Sequence, residues 1–95
     1  MAYRVILSPD AQQTLESLPE WLFRRVAKRL ERLGKSPTRL SRRSVSPPYP
    51  PGYQMMDFRV RGTRFLHHFV VLFKYRTNET ELFVFGIGHQ KITLE

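Results

Sequence analysis

Apolar positions change their spacing partway along this chain, and the change divides it into two kinds of structure. Before residue 34 they recur at intervals of three and four, the spacing of a helix face. From residue 53 to residue 89 they recur at every second position, the spacing of a strand. The second region predicts three consecutive strands, 53–61, 64–75 and 81–89, joined by Arg61-Gly62-Thr63-Arg64 and by residues 76–80. On the first, Gln54, Met56, Phe58 and Val60 share one face and Met55, Asp57, Arg59 and Arg61 the other. The first set is expected to pack on helices and the second to be more exposed. The middle strand sets Phe65, His67, Phe69, Val71 and Phe73 against Leu66, His68, Val70 and Leu72. Both faces are largely apolar, so this strand is placed in the centre of a sheet. On the last strand Phe83, Phe85, Ile87 and His89 alternate with Leu82, Val84, Gly86 and Gly88, and periodicity does not choose which set faces the core.

The first region opens with a short strand of β-formers, 3–7. Ser8-Pro9-Asp10 then starts a helix: a hydroxyl for the N-cap, a proline suited to the first helical position, and an acid at the positive end of the helix dipole. Ala11, Leu15 and Leu18 give that helix one apolar stripe, and Pro19 ends it. A second helix is predicted over 20–33, with Phe23, Val26, Ala27, Leu30 and Leu33 as its apolar stripe. Gly34 is placed to cap its C-terminus and Pro37 to prevent continuation. Residues 38–52 hold Pro47, Pro48, Pro50 and Pro51, too many prolines for a helix or a central strand. The fold expected is α+β: a single domain over 1–95, an antiparallel sheet in the order β-α-α-β-β-β, and two N-terminal helices packed on one face.

Composition narrows the function. The chain of 95 residues has no cysteine, which removes disulfides and thiolate metal sites. No apolar run is long enough to span a bilayer, and Arg4 and Asp10 interrupt the N-terminus, so a cytoplasmic protein without a membrane partner is expected. The net charge is +8, and its placement matters more than its size. Arg24, Arg25, Lys28, Arg29, Arg32, Lys35, Arg39, Arg42 and Arg43 face only Glu20 and Glu31 within residues 20–43. Such focused charge attracts nucleic acid or an acidic protein, although a merely solvated helix face would look the same.

Neither a serine–histidine–acid spacing nor a glycine-rich phosphate cradle is present. His67 and His68 are adjacent, so a strand points them to opposite faces and they cannot share one metal. No metal or cofactor is expected. The remaining chemistry is basic. Cutting RNA without a metal requires a proton taken from the 2′-hydroxyl, charge stabilised at phosphorus, and a proton given to the departing 5′ oxygen. Arginine suits the second task and histidine the proton transfers. Arg64, His89 and His68 are therefore the candidate catalytic residues. Arg64 and His89 are expected to meet where the start of one strand lies beside the end of the next. Arg24, Arg25, Lys28, Arg29, Arg32, Arg39, Arg42, Arg43, Arg59 and Arg61 are the candidate nucleic-acid contacts. His67, among Phe65 and Phe69, reads as packing.

With these residues placed, the chain resembles the RelE/ParE superfamily of bacterial toxins from type II toxin–antitoxin systems. The resemblance rests on the opening Tyr3-Arg-Val-Ile-Leu-Ser-Pro-Asp-Ala11 with Leu15, Leu18 and Pro19. It continues through Leu30, Leu33 and Pro37, Pro51-Gly52, Gly62-Thr-Arg64, Val71-Leu-Phe-Lys-Tyr75 and Ile87-Gly-His89. It implies one of two activities. RelE-like members are metal-free endoribonucleases that cleave mRNA, commonly on the ribosome; ParE-like members inhibit DNA gyrase. Both implied classes have a cognate antitoxin as partner, and a non-catalytic relative that keeps the fold and binds an acidic partner is the remaining alternative. Arg64 matches the arginine that RelE-like enzymes use at the scissile phosphate, and His89 a histidine many relatives carry at the end of the last strand. Three positions depart from the ribonuclease pattern. Met55 and Asp57 stand where ribosome-dependent enzymes place lysines, Gln90 stands near an expected basic residue, and the tail after it has no tyrosine.

Overall fold

A computed structural model describes residues 3–37, 43–44, 52–76 and 80–94. The elements are β1 (Arg4–Leu7), α1 (Pro9–Glu16), α2 (Glu20–Lys35), β2 (Arg43–Ser44), β3 (Gln54–Arg61), β4 (Phe65–Tyr75) and β5 (Glu81–Thr93). They form a five-stranded sheet ordered β1-β5-β4-β3-β2. The last three strands pair antiparallel in sequence order. β1 pairs parallel with β5, Arg4 opposite Glu81 and Leu7 opposite Val84. The sheet is therefore mixed, not purely antiparallel. The two-helix crossover returns the chain on the far side of β5, so β1 and β5 run in the same direction. The proline-rich segment 47–51 lies outside the described residues.

Ser8 sets the start of α1 as its residue type predicts. Its Oγ accepts the Ala11 N–H at 3.1 Å, and Pro9 occupies the first turn. The same hydroxyl donates to the Phe85 carbonyl at 2.6 Å, while the Ser8 N–H donates to the Val84 carbonyl. These bonds hold a β-bulge. Leu72 pairs with Gly86 and Phe73 with Val84, leaving Phe85 without an opposite residue. An extra residue reverses the alternation beyond it. Leu82 and Val84 face the helices before the bulge; Ile87 does so after it, and all three are buried. Phe85 is exposed. Neither simple alternation on this strand survives, which is why period alone could not choose.

The core is one cluster between the sheet and the helices. Met56, Phe58 and Val60 of β3 and Phe69, Val71 and Phe73 of β4 meet Ala11 and Leu15 of α1 and Leu22, Val26, Leu30 and Leu33 of α2. The stripe on α2 is rotated by one residue at its start: Leu22 is fully buried, whereas Phe23 is 37% exposed. Phe23 and Ala27 instead flank a shallow apolar groove beside Val5, Leu7 and Leu15. Gly34 is not a cap. The helix runs through it to Lys35, with Ser36 as C-cap. A Cβ on Gly34 would lie 2.9 Å from the Tyr3 carbonyl oxygen and 3.0 Å from Val5 Cγ2. Glycine is required there because α2 crosses β1 backbone to backbone.

Candidate functional site

The alternation of β4 sends its two adjacent histidines to opposite sides, and each finds a different partner. On the face away from the helices, His68 Nε2 lies 3.1 Å from Asp57 Oδ2. The imidazole can donate an N–H to that carboxylate, which fixes its tautomer. Both side chains keep access to solvent, at 24% and 20% exposure. Arg59 is the cross-strand neighbour of His68. Arg59 and Arg61 share the parity of Asp57 along β3 and are exposed. Asp57, His68, Arg59 and Arg61 thus share one face of this stretch of sheet. Asp57 was missed as a site residue in the sequence because its partner is an across-strand diagonal neighbour, a relation that only the β3–β4 register defines.

On the helix face, His67 is buried at 6% exposure. Its Nδ1 lies 2.9 Å from His89 Nε2, so one ring donates an N–H to the other. His89 stacks flat on Phe69, centroids 4.4 Å apart and planes 8° apart. Trp21 meets the edge of His67 at 5.6 Å. The turn after β3 closes against this group: the Gly62 N–H donates to the Phe65 carbonyl at 2.8 Å, and a Cβ on Gly62 would stand 3.2 Å from Trp21 Cη2. Burial holds both imidazoles below their ordinary titration range, with the nearby Lys91 ammonium acting in the same direction on each and His67 also acting on His89. The pair is a neutral, packed contact. His67 packs as its neighbours suggested, and it also has a hydrogen-bond partner that sequence spacing did not reveal.

Arg64 and His89 do not meet. β5 continues four residues past the predicted end, to Thr93, so Phe65 pairs with Thr93 and His89 pairs with Phe69. The Arg64 carbonyl instead accepts the Leu94 N–H at 2.8 Å. Five residues of strand separate the Arg64 and His89 levels, about 16 Å at the rise of a β-strand. Arg64 is exposed and, through the short turn, belongs to the same end of the sheet as Arg61. His68, not His89, is the histidine set among acid and arginine groups.

The basic face of α2 is exposed as predicted. Arg25, Lys28, Arg29 and Arg32 line a surface depression of about 460 Å³, and Arg29 also sits over the Phe58 ring at 5.3 Å. Arg24 is paired with Glu20 at 2.7 Å and Lys35 with Glu31 at 3.5 Å, exposed contacts that contribute little to stability. Arg43 lies in β2 opposite Met55. Arg39 and Arg42 lie outside the described residues. Among the described residues no helix is long and apolar enough to cross a membrane, and no three histidine or acidic groups cluster as metal ligands would.

Two solved structures share the architecture of two helices on one face of a mixed sheet. The toxin–antitoxin complex RelBE2 from Mycobacterium tuberculosis superposes with a TM-score of 0.70 at 19% identity, over 95% of this chain and 100% of that one. The free E. coli toxin RelE, in a double-arginine mutant form, superposes with a TM-score of 0.64 at 17% identity, over 93% of this chain and 83% of that one. At these identities the likeness is one of fold. The sequence carries the assignment further: the chain belongs to the family of ParE toxins of type II toxin–antitoxin (parDE) systems, whose model matches residues 5–94. No curated protein matches the sequence significantly.

Proposed function

We propose that this toxin is a RelE-like, metal-independent endoribonuclease acting on mRNA, with the ribosome as its working partner and a cognate antitoxin as its inhibitor. The observation that carries the reading is the Asp57–His68 pair at 3.1 Å on the side of the sheet away from the helices, beside the exposed Arg59 and Arg61. His68 takes the proton from a 2′-hydroxyl. The oxygen attacks the adjacent phosphorus, and the bond to the 5′ oxygen breaks, leaving a 2′,3′-cyclic phosphate and a 5′-hydroxyl. The departing oxygen draws its proton from the loaded imidazolium or from water. Asp57 accepts the ring N–H and holds the ring in place. Arg59 and Arg61 stabilise charge at phosphorus as it develops. Arg64, at the same end of the sheet, contacts a flanking phosphate. The replacement of lysines by Met55 and Asp57 moves proton transfer onto the imidazole.

Membership of the ParE family and those same lysine replacements favour a second reading, a non-catalytic inhibitor of DNA gyrase. One experiment separates them. On induction in cells, 5′ ends of mRNA are mapped and plasmid supercoiling is followed for the wild type, His68→Gln and Asp57→Asn. The ribonuclease reading expects new mRNA ends whose yield falls about 100- to 10,000-fold in His68→Gln, the range of a lost acid–base group. It expects a smaller loss in Asp57→Asn. Growth arrest with relaxed plasmid, intact mRNA and full toxicity of both variants sinks it in favour of gyrase.

A further inference from the structure

The far end of β4 and β5 carries a second cluster to which the dyad gives no role. Lys74 and Phe83 are cross-strand partners on the same side of the sheet as His68. Arg76 follows β4 directly, and its guanidinium carbon lies 4.9 Å from the Phe83 ring centroid. The Lys74 ammonium is 6.0 Å from the same centroid and 5.2 Å from that of Tyr53. Lys74, Tyr75, Arg76 and Phe83 line an open depression of about 380 Å³. Two cations therefore share one aromatic ring, and among the described residues neither has an acidic partner. The nearest acid on β5, Glu81, is occupied: its carboxylate binds Arg4 at 2.7 Å, and its carbonyl accepts the Arg76 N–H. Like charges brought together without a counterion repel one another, and an anion between them relieves the repulsion. An aromatic floor beneath that anion is the combination that single-stranded nucleic acid uses, phosphate on cation and base on ring.

We infer that Lys74, Arg76 and Phe83 form a remote nucleotide subsite, binding a phosphodiester and its adjoining base on a single strand of RNA; this deepens the ribonuclease reading and rests on it. Six residues of β4 separate Lys74 from His68, about 20 Å at the rise of a strand. One nucleotide cannot reach both, and a strand of several can. Between them β5 presents Gly86 and Gly88, partners of Leu72 and Val70. The two glycines add no side chain to this path, and the exposed Phe85 of the bulge stands beside it, its ring 5.3 Å from that of Tyr53.

The test is a length series. Fluorescence anisotropy measures binding of 2′-O-methyl oligoribonucleotides, which cannot be cut, two and eight nucleotides long. The wild type is expected to bind the octamer at least tenfold more tightly than the dimer. Lys74→Gln/Arg76→Gln is expected to lose that advantage, with the salt dependence of log K shallower by about 0.7 for each lost phosphate contact. Phe83→Leu, which keeps apolar bulk but not stacking, is expected to weaken octamer binding about tenfold. The single Arg76→Gln change, on an exposed side chain, keeps the test decisive if the double variant does not fold. Wild-type affinity and salt slope in these variants overturn the subsite. So does binding of a polyglutamate peptide in place of the octamer that is lost in the same variants, which assigns the cluster to an acidic protein. An unmodified octamer tests the catalytic reading separately: RNA that is held through Lys74 and Arg76 yet stays intact supports the subsite and removes the cleavage.

Discussion

Replacing Gly34 by alanine pits two effects of opposite sign against each other, and the structure decides between them. Gly34 lies inside α2, one residue before its end. Helix propensity alone predicts that alanine stabilises by roughly 0.5–1 kcal/mol. The new methyl would stand 2.9 Å from the Tyr3 carbonyl oxygen and 3.0 Å from Val5 Cγ2. Neither neighbour gives way easily. The carbonyl is backbone, and its residue is tied to the helix by the Tyr3 N–H bond to the Gly34 carbonyl at 2.7 Å. Val5 is β-branched, with few rotamers to try. Relief requires the end of α2 to lift from β1, stretching that bond. Overpacking of this kind costs about 1–3 kcal/mol, so the net effect is destabilising, on the order of 1 kcal/mol. For a domain of this size that lowers Tm by about 4–8 °C. Urea unfolding followed by circular dichroism measures it. Gly86→Ala, whose Cβ meets no atom within 4 Å, is the control and is expected to be neutral or slightly stabilising. A Gly34→Ala protein as stable as the wild type would refute the claim that backbone contact dictates this glycine.

Two further outcomes follow from the core and the imidazole pair. Leu22→Ala, at a fully buried position, is expected to cost about 2–5 kcal/mol in urea unfolding, whereas Phe23→Ala, at the exposed rim of the groove, costs clearly less; the reverse order would place the stripe where sequence spacing put it. His67 and His89 are held below their ordinary value of 6.5 by burial, so the unfolded chain binds more protons than the folded one in the acid range just below that value. Their contribution is complete above pH 6.5 and is lost as pH falls through the lowered folded values. Unfolding curves across this range should show stability falling towards acid, with a shallower fall in His67→Phe/His89→Phe, and an unchanged slope in that variant would assign the loss to other groups.

Local chemistry made much of this fold legible. The cap of α1 follows from Ser8, Pro9 and Asp10, and the buried face of β3 from Met56, Phe58 and Val60, because each depends on neighbours within a turn or a pleat. Features that depend on distant chain were hidden. The bulge at Phe85 is held by Ser8, 77 residues away, and no strand pattern encodes that bond. The stripe of α2 was misphased because Leu22 and Phe23 are adjacent apolar residues, and only packing on the sheet selects one. The expected meeting of Arg64 and His89 failed because β5 runs on through Gln90, Lys91, Ile92 and Thr93, polar enough in part to pass for a tail. Backbone pairing with β4, not side-chain hydrophobicity, extends that strand. The candidate site was half legible: His68, Arg59 and Arg61 stood out by residue type, and Asp57 acquired a role only from the register.

Placement of charge then constrains what the toxin can act on. The Asp57–His68 pair, with Arg59 and Arg61, faces away from the helices, while Arg25, Lys28, Arg29 and Arg32 line one face of α2 on the helix side of the sheet, where Arg29 lies over the Phe58 ring of β3. A short RNA lying on the dyad cannot also reach the helix without wrapping around the sheet edge. On the ribonuclease reading, the two basic regions therefore serve different stretches of one large, folded nucleic acid, or two different partners. A free oligonucleotide would use only the sheet, so its cleavage should depend weakly on the α2 charges. Cleavage on a ribosome, where structured RNA can meet both sides at once, should depend on them strongly. This difference between two substrates, measured for one charge-neutralised α2 variant, separates a helix that positions the enzyme from a helix that is only solvated.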